Sequence, residues 1–359
     1  MTEDRPTELS PLHPNTPGPA AETLRARAVT RIYDGRRVVD GASLDLPPGR
    51  IVALVGRSGS GKSTLLRLLA GLEPVDEGEV SQGTTRLSWL GHTVPPEKRR
   101  TGLIFQDFAL FPHMTAVENV RFGLSRRSRA QGVAEARDWL ARLGLAARAD
   151  AYPHELSGGE QQRVAIARAL APDPTAILMD EPFSGLDPAL RQGVGDAALD
   201  AIRETGKPAL LVTHDAQSAM EAADWLAVMR EGRIVQSGTP LDVYRSPLDA
   251  DIAGALGPVM QISAADLPPA LWPDPNLSGD RVVCVREEGV RIDATSSARG
   301  IVRRVALIGP VFRLTLELGP ITLRALVPAH DVPPRTGDEV GLAFDPLLTF
   351  SFPPGASHS

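Results

Sequence analysis

Gly56-Arg57-Ser58-Gly59-Ser60-Gly61-Lys62-Ser63-Thr64 follows the apolar run Ile51–Val55 and leads into Leu65-Leu66-Arg67-Leu68-Leu69. The apolar run bounded by glycine reads as a buried strand, and the leucine spacing reads as one face of a helix. Strand, glycine-rich turn and helix start, in that order, form the setting of a phosphate-binding loop. Glycines without Cβ atoms let backbone N–H groups close around the β- and γ-phosphates, and the helix start offers its own unpaired N–H groups. Lys62 adds a positive charge, and the Ser63 hydroxyl is a ligand of the kind Mg²⁺ prefers. The stretch predicts that this chain binds a nucleoside triphosphate.

Farther along, Ala176-Ile177-Leu178-Met179 runs into Asp180-Glu181-Pro182. A buried strand ending in two carboxylates is the natural partner of such a loop. Asp180 would hold the Mg²⁺ shell, directly or through water, and Glu181 would polarise a water aimed at the γ-phosphate. Between the two motifs lies Leu156-Ser157-Gly158-Gly159-Glu160-Gln161-Gln162-Arg163, which opens a helical pattern through Ala171. A serine and two glycines at a helix start leave a hydroxyl and backbone N–H groups for a second phosphate site. One domain seldom needs two such sites for one nucleotide, so the second is expected to serve a nucleotide held by another copy. His214 ends the apolar run Leu210–Thr213, where the site should lie.

Whole-chain properties narrow the classes. The chain has 359 residues, 42% hydrophobic and 23% charged, as in an ordinary globular protein long enough for two domains. A net charge of −6 argues against nucleic acid as the main partner. No apolar run approaches the roughly 20 residues of a membrane-spanning helix. Cys284 is the single cysteine, which excludes an internal disulfide and a cysteine-built metal site and leaves a small core residue. The other histidines lack metal-ligand spacing, so no zinc site is expected.

Residues 1–23, with Pro6, Pro11, Pro14, Pro17 and Pro19, read as a disordered leader. From Leu24 to about Gly238, strand runs alternate with helical patterns, the mark of an α/β domain with a largely parallel sheet. Ser125–Leu145 reads as an amphipathic helical insert, its basic start at Arg126-Arg127-Ser128-Arg129 a solvated face. Leu241–Leu256 reads as a helical connector, and the Pro-rich stretch Leu267–Pro275 as a boundary. Beyond it, Arg281–Val285, Gly289–Ile292, Ile301–Ile308, Val311–Leu318, Ile321–Val327 and Glu339–Phe344 read as short strands, with Gly319-Pro320 as a hairpin turn. A small antiparallel barrel of five or six strands is expected.

These motifs together resemble the ATP-binding subunit of an ABC transporter, over roughly Leu24 to Leu256. Gly56–Thr64 is similar to the Walker A loop, Ala176–Glu181 to the Walker B strand and Leu156–Glu160 to the signature motif. Gln106 falls at the Q-loop, Ser184–Asp187 at the D-loop and His214 at the switch histidine. Two positions depart from the usual pattern: Glu160, where Gln is commoner, and Arg57, in a variable loop position. The resemblance implies a P-loop NTPase fold with a helical subdomain at about 107–172 within a cassette at 24–256. It further implies a linker at 257–279, an OB-like transport-associated domain at 280–352 and a disordered tail at 353–359. ATP and Mg²⁺ are the implied cofactors, with Ser63, Gln106 and Asp180 around the metal. Gly56, Arg57, Ser58, Gly59, Ser60, Gly61, Lys62, Ser63 and Thr64 would hold the phosphates. Two copies would face head to tail, so that Ser157, Gly158, Gly159 and Glu160 complete the partner copy's γ-phosphate pocket and Asp187 couples the two sites. Glu181, His214 and Gln106 would carry hydrolysis. Tyr33 falls where the family stacks an aromatic ring on adenine, although a packed edge aromatic fits it nearly as well. Gln106–Thr115, rich in aromatics, would receive integral permease subunits at the cytoplasmic face of the membrane, with a solute-binding protein outside as an indirect partner.

Val94-Pro95-Pro96-Glu97-Lys98-Arg99-Arg100, the segment Phe105–His113 and the β-rich C-terminus resemble importer ATPases for ferric iron, polyamines, sulfate or thiosulfate, and some sugars. Ferric iron is the leading cargo and a polyamine its closest rival. A non-transport ABC ATPase and a catalytically inactive regulatory scaffold are the alternatives of another class. The continuous single cassette and acidic charge weigh against the first, and intact Lys62, Asp180, Glu181 and His214 against the second.

Overall fold

The computed structural model describes residues 23–125, 127–183, 197–272 and 278–353. The chain divides into two compact units, Met1–Pro240 and Leu241–Ser359. In the first unit a six-stranded sheet runs in the order Arg233–Gly238, Trp225–Arg230, Ile51–Val55, Ala209–Thr213, Ala176–Asp180, Thr101–Ile104. Its last five strands are mutually parallel, and only Arg233–Gly238 pairs antiparallel, at the edge. The apolar runs at 51–55, 176–179 and 209–213 are buried because a parallel sheet is covered on both faces.

Parallel direction is what builds the site. Val55 lies beside Thr213, Val212 beside Asp180, and Met179 beside Ile104. The loops after these strands therefore leave one edge of the sheet, where α/β folds gather their ligands. Helix Lys62–Ala70 starts at the end of the glycine-rich loop and buries Leu65, Leu66, Leu68 and Leu69, the spacing anticipated from the sequence. A second, antiparallel sheet in the order Arg36–Leu46, Leu24–Tyr33, Glu77–Gln82, Thr85–Trp89, His92–Thr93 shares that core. Helices Ala116–Phe122, Arg129–Arg142 and Gly158–Leu170 pack on one another in the predicted helical region.

In the second unit the described strands form two antiparallel sheets. One has the order Val259–Ser263, Val282–Arg286, Thr349–Phe352. The other runs Val290–Ile292, Glu339–Phe344, Arg299–Ile308, Val311–Leu318, Ile321–Pro328. Leu318 pairs with Ile321 across the Gly319-Pro320 turn, so the hairpin is present. Val259–Ser263 and Thr349–Phe352 are strands the sequence reading did not single out; the first lies within the stretch read as a linker. Leu241–Leu256, read with the cassette, groups with this second unit. The physical reason is Arg286, fully buried, which donates to the Tyr244 carbonyl at 3.1 Å and the Ala253 carbonyl at 3.2 Å. Cys284 is a buried core residue beside Ala250 and Phe352, and burial pushes its thiol up to about 12.

Candidate functional site

Gly56 and Gly61 occupy backbone conformations that favour glycine, with φ of 159° and 103°. A Cβ on Gly56 would lie 2.2 Å from the Met229 carbonyl oxygen, and one on Gly61 2.5 Å from that of Val38. Glycine is thus required at both, and the loop is tied to two neighbouring strands. Gly232 N–H adds a bond to the Ser60 carbonyl at 2.9 Å. The Ser60 hydroxyl is buried without a hydrogen-bond partner, an acceptor-seeking group inside a loop whose N–H groups suit an anion. Lys62 is 7% exposed, and its ammonium donates to the carbonyls of Gly56 at 2.8 Å and Arg57 at 3.1 Å. Burial lowers its pKa, while the charges of Glu181 and Asp180 raise it.

Ser63, in the first turn of the helix, donates its hydroxyl to Asp180 Oδ1 at 3.0 Å. Residues 117 positions apart in sequence thereby form one oxygen-donor pair. Hydroxyl and carboxylate oxygens are the hard donors that Mg²⁺ takes, so the pair fits that ion. Burial raises the Asp180 pKa, with the Ser63 hydrogen bond opposing and the Glu181 charge reinforcing the shift.

Glu181 has a left-handed backbone, φ 50°, a conformation non-glycine residues seldom adopt. Its N–H donates to the Val212 carbonyl at 2.8 Å, which fixes it to the adjacent strand. His214, one residue past that strand, places Nδ1 2.7 Å from both carboxylate oxygens of Glu181 and donates its N–H to Oε1 at 3.1 Å. The ring is largely exposed, whereas the Glu181 side chain is only 14% exposed. Strand pairing thus brings Lys62, Ser63, Asp180, Glu181 and His214 to one place.

Other expected residues come from other parts of the chain. Gln106 is exposed in the turn after Thr101–Ile104. Ser157 caps helix Gly158–Leu170: its hydroxyl and N–H both donate to Glu160 Oε2 at 2.8 Å, and Glu160 N–H returns a long bond of 3.4 Å. The Ser157 N–H is the main cause of a lowered Glu160 pKa, and Arg148 Nε adds a bond to Oε1 at 3.2 Å. The glutamate at this position thus forms a reciprocal capping box. Tyr33 is half-buried with the Arg31 guanidinium 4.7 Å above its ring, and Arg31 is itself held by Glu73 and Asp76. Asp187, with the rest of Ser184–Asp187, lies outside the described residues.

Three residues escaped the sequence reading. Asn119 is fully buried and bonds the carbonyls of Phe111, Met114 and Thr115 and the Phe111 N–H, shaping the loop before helix Ala116–Phe122. Arg99 is a buried guanidinium whose donors reach the carbonyls of Val94, Leu68, Leu69 and Leu87 and the Ser88 hydroxyl. Arg168 bonds the turn after Gln106. A polar residue within an otherwise apolar helical run was the available signal for Arg168; Asn119 sits near Glu118 and Arg121 and carried none.

Comparison with known proteins shows the family and the fold. Residues 39–184 match the model of the ABC transporter family, and residues 283–352 match that of the TOBE domain. The Fe(3+) ions import ATP-binding protein of Streptomyces avermitilis is 41% identical over 335 residues, covering 90% of this chain and 96% of that one. The Fe(3+) ions import ATP-binding protein of Pseudomonas fluorescens is 40% identical, covering 82% of this chain and 86% of that protein. A sulfate/thiosulfate import ATP-binding protein of Bradyrhizobium diazoefficiens is 37% identical, covering 89% and 97% respectively. Among solved structures, a dimeric bacterial ABC transporter cassette aligns with a TM-score of 0.55 and 31% identity, covering 60% of this chain and 98% of that one. A dimeric cassette in a post-hydrolysis state bound to ADP and Pi aligns with a TM-score of 0.54 at 30% identity, covering the same shares. With its glycine-rich loop, paired carboxylates and C-terminal β unit, and with relatives of this identity along nearly their whole length, the chain belongs to the ATP-binding proteins of the ABC transporter family.

Proposed function

We propose that this chain is the ATP-hydrolysing subunit of an importer, working as a head-to-tail homodimer on integral permease subunits at the cytoplasmic face of the membrane. The observation that carries this reading is the convergence of Lys62, the Ser63–Asp180 pair and the Glu181–His214 pair on one sheet edge. Backbone N–H groups of the loop and the Lys62 ammonium bind the phosphates and oppose the charge that grows on them during transfer. Ser63 and Asp180 would hold Mg²⁺. The ion would supply neutralisation of phosphate charge there. Glu181 orients water and accepts its proton at a carboxylate oxygen. His214 donates from Nδ1 to that carboxylate and holds its orientation. Gln106 would add to the shell of metal and water once the loop closes.

Ser157, Gly158 and Gly159 would meet the γ-phosphate of the nucleotide on the second copy, and Asp187 would couple the two sites. Stacking of adenine on Tyr33 is supported by the ring's half-buried position and by Arg31, which fixes one face. Phe111 and Phe122, with ring centroids 4.6 Å apart, and the 55% exposure of Phe122 favour Gln106–Thr115 as part of the permease contact. Ferric iron is the proposed cargo, on the strength of the two Fe(3+) import relatives; an extracytoplasmic binding protein would deliver it to the permease. Sulfate or thiosulfate is the second reading, favoured by the relative from Bradyrhizobium.

The test is ATP turnover by the purified chain together with uptake of labelled ferric iron and sulfate by cells carrying the parent or Glu181→Gln. Glu181→Gln is expected to keep nucleotide affinity, lose about a hundredfold or more in kcat and accumulate an ATP-bound dimer. Parental turnover in that variant would remove Glu181 from its role. Iron uptake that falls with turnover, while sulfate uptake holds, assigns the cargo; the reverse pattern replaces it.

A further inference from the structure

Arg168 sits two residues before the end of helix Gly158–Leu170, and its guanidinium leaves that helix. One terminal nitrogen donates to the Phe108 carbonyl at 2.7 Å and the other to the Ala109 carbonyl at 2.6 Å. These two acceptors are consecutive non-glycine residues with φ of 59° and 46°. A Cβ makes each such conformation unfavourable, and two in a row persist only where neighbouring groups hold them. The same guanidinium lies over the Phe111 ring, 5.7 Å from its centroid.

A separate contact ties the same pieces together. A Cβ on Gly102 would stand 2.8 Å from the carbonyl oxygen of Ala169, the residue next to Arg168. Strand Thr101–Ile104 therefore lies directly against the helix end, and the chain runs from it through Phe105 to Gln106 and the strained turn. The chain thus meets the helix end both before Gln106, at Gly102, and after it, at Phe108 and Ala109.

We propose that Arg168 is a positioning residue for hydrolysis: by holding the left-handed turn at Phe108 and Ala109 it fixes Gln106 relative to the helix that begins at the signature residues Ser157–Glu160. The proposal rests on the ATPase reading above and adds a mechanical link between two of its parts. Arginine suits this role because its rigid planar fork gives each of the two carbonyls its own nitrogen in a fixed direction, whereas a lysine ammonium would have to serve both from one freely rotating centre. Gln106 and the signature helix then move as one body.

The experiment measures kcat and KM for ATP, with hydrogen exchange over residues 62–70 and 106–110, in the full-length chain. Arg168→Lys should keep KM within about twofold and lose about tenfold to a hundredfold in kcat, as a small misplacement of a reacting group would. Exchange should quicken at 106–110 and stay at the parental rate in 62–70. Ala109 is exposed, so Ala109→Val spares the core, strains the turn from the other side and should reproduce the kcat loss with Arg168 intact. In the Arg168→Lys background, Ala109→Gly should return part of kcat, because glycine takes the left-handed turn freely. A purely structural role for Arg168 would give no such rescue. Parental kcat in Arg168→Lys, or a loss untouched by Ala109→Gly, overturns the proposal. Should Arg168→Lys not fold, Ala109→Val decides alone, and parental kcat there overturns it as well. Failure of the ATPase reading looks different: the parent itself would not hydrolyse ATP, or Glu181→Gln would hydrolyse it at the parental rate.

Discussion

Single residues at this site are set against their own comfort. Glu181 carries φ of 50° and Asp180 a carboxyl whose pKa burial has raised. The sign of the second effect gives a prediction. A raised native pKa means that the folded chain binds this proton more tightly than the unfolded one. The associated stability is complete below the ordinary carboxylate range and is lost as pH rises through the shifted value, so the ionised Asp180 is a cost at neutral pH. In magnesium- and nucleotide-free buffer, Asp180→Asn should melt above the parent at about pH 7.5, and the gap should close near pH 4 or below. Calorimetry across that range checks it; a gap independent of pH would assign the effect to packing. The residue types were legible in the sequence here, because Asp-Glu after an apolar strand has few other uses beside a phosphate loop. The strain and the His214 contact were not, because both depend on the neighbouring strand that carries Val212.

At the scale of elements, a short helix at the phosphate site has to be held at both ends. Helix Lys62–Ala70 presents Lys62 and Ser63 at its start, and Arg99 secures its finish. All five N–H donors of Arg99 are used, including those to Leu68 at 3.2 Å and Leu69 at 2.8 Å in the last turn. A cation at the helix C-terminus also complements the helix dipole. Burial pulls the Arg99 pKa down to about 10, which still leaves it charged at neutral pH. Arg99→Met would leave several buried carbonyls without donors and should destabilise the chain by about 3 kcal/mol or more, read from urea unfolding. Arg99→Lys should recover less than half of that loss, since an ammonium has three donors to offer. Equal stability of Arg99→Met and the parent would mean that water takes over the arginine's bonds. Helix and strand types were readable from the leucine spacing at 65–69 and the apolar runs. Arg99 looked like one basic residue among several in Glu97-Lys98-Arg99-Arg100, and only packing separates it from its exposed neighbour Arg100.

On the scale of the whole molecule, two units divide the work, and their limits can be tested. The C-terminal unit includes the helices Pro240–Arg245 and Ala250–Ala255, whose Tyr244 and Ala253 carbonyls take bonds from Arg286. Arg286 also lies over the Tyr244 ring at 3.6 Å, and Glu288 accepts the Tyr244 hydroxyl. A chain ending at Gly257 keeps the two helices and loses that arginine, so it should aggregate or melt lower than a chain ending at Pro240. The shorter chain should retain ATP binding. Comparable midpoints, or loss of binding in the shorter chain alone, would place the helices with the nucleotide-binding unit.

Composition and motif order were enough to determine the strand–glycine loop–helix order at 51–70, the carboxylates at the end of a buried strand, the α/β class of the first unit and the β character of the second. These features are written locally, in apolar periodicity, glycine placement and residues adjacent in the chain. Tertiary structure alone decided that Glu181 is bent onto His214, that Arg168 grips the turn after Gln106, and that Leu241–Leu256 belongs with the C-terminal unit. Each of these joins residues distant in sequence through strand pairing or a buried guanidinium. Such contacts come from how the elements pack, and no local pattern in a single sequence encodes them.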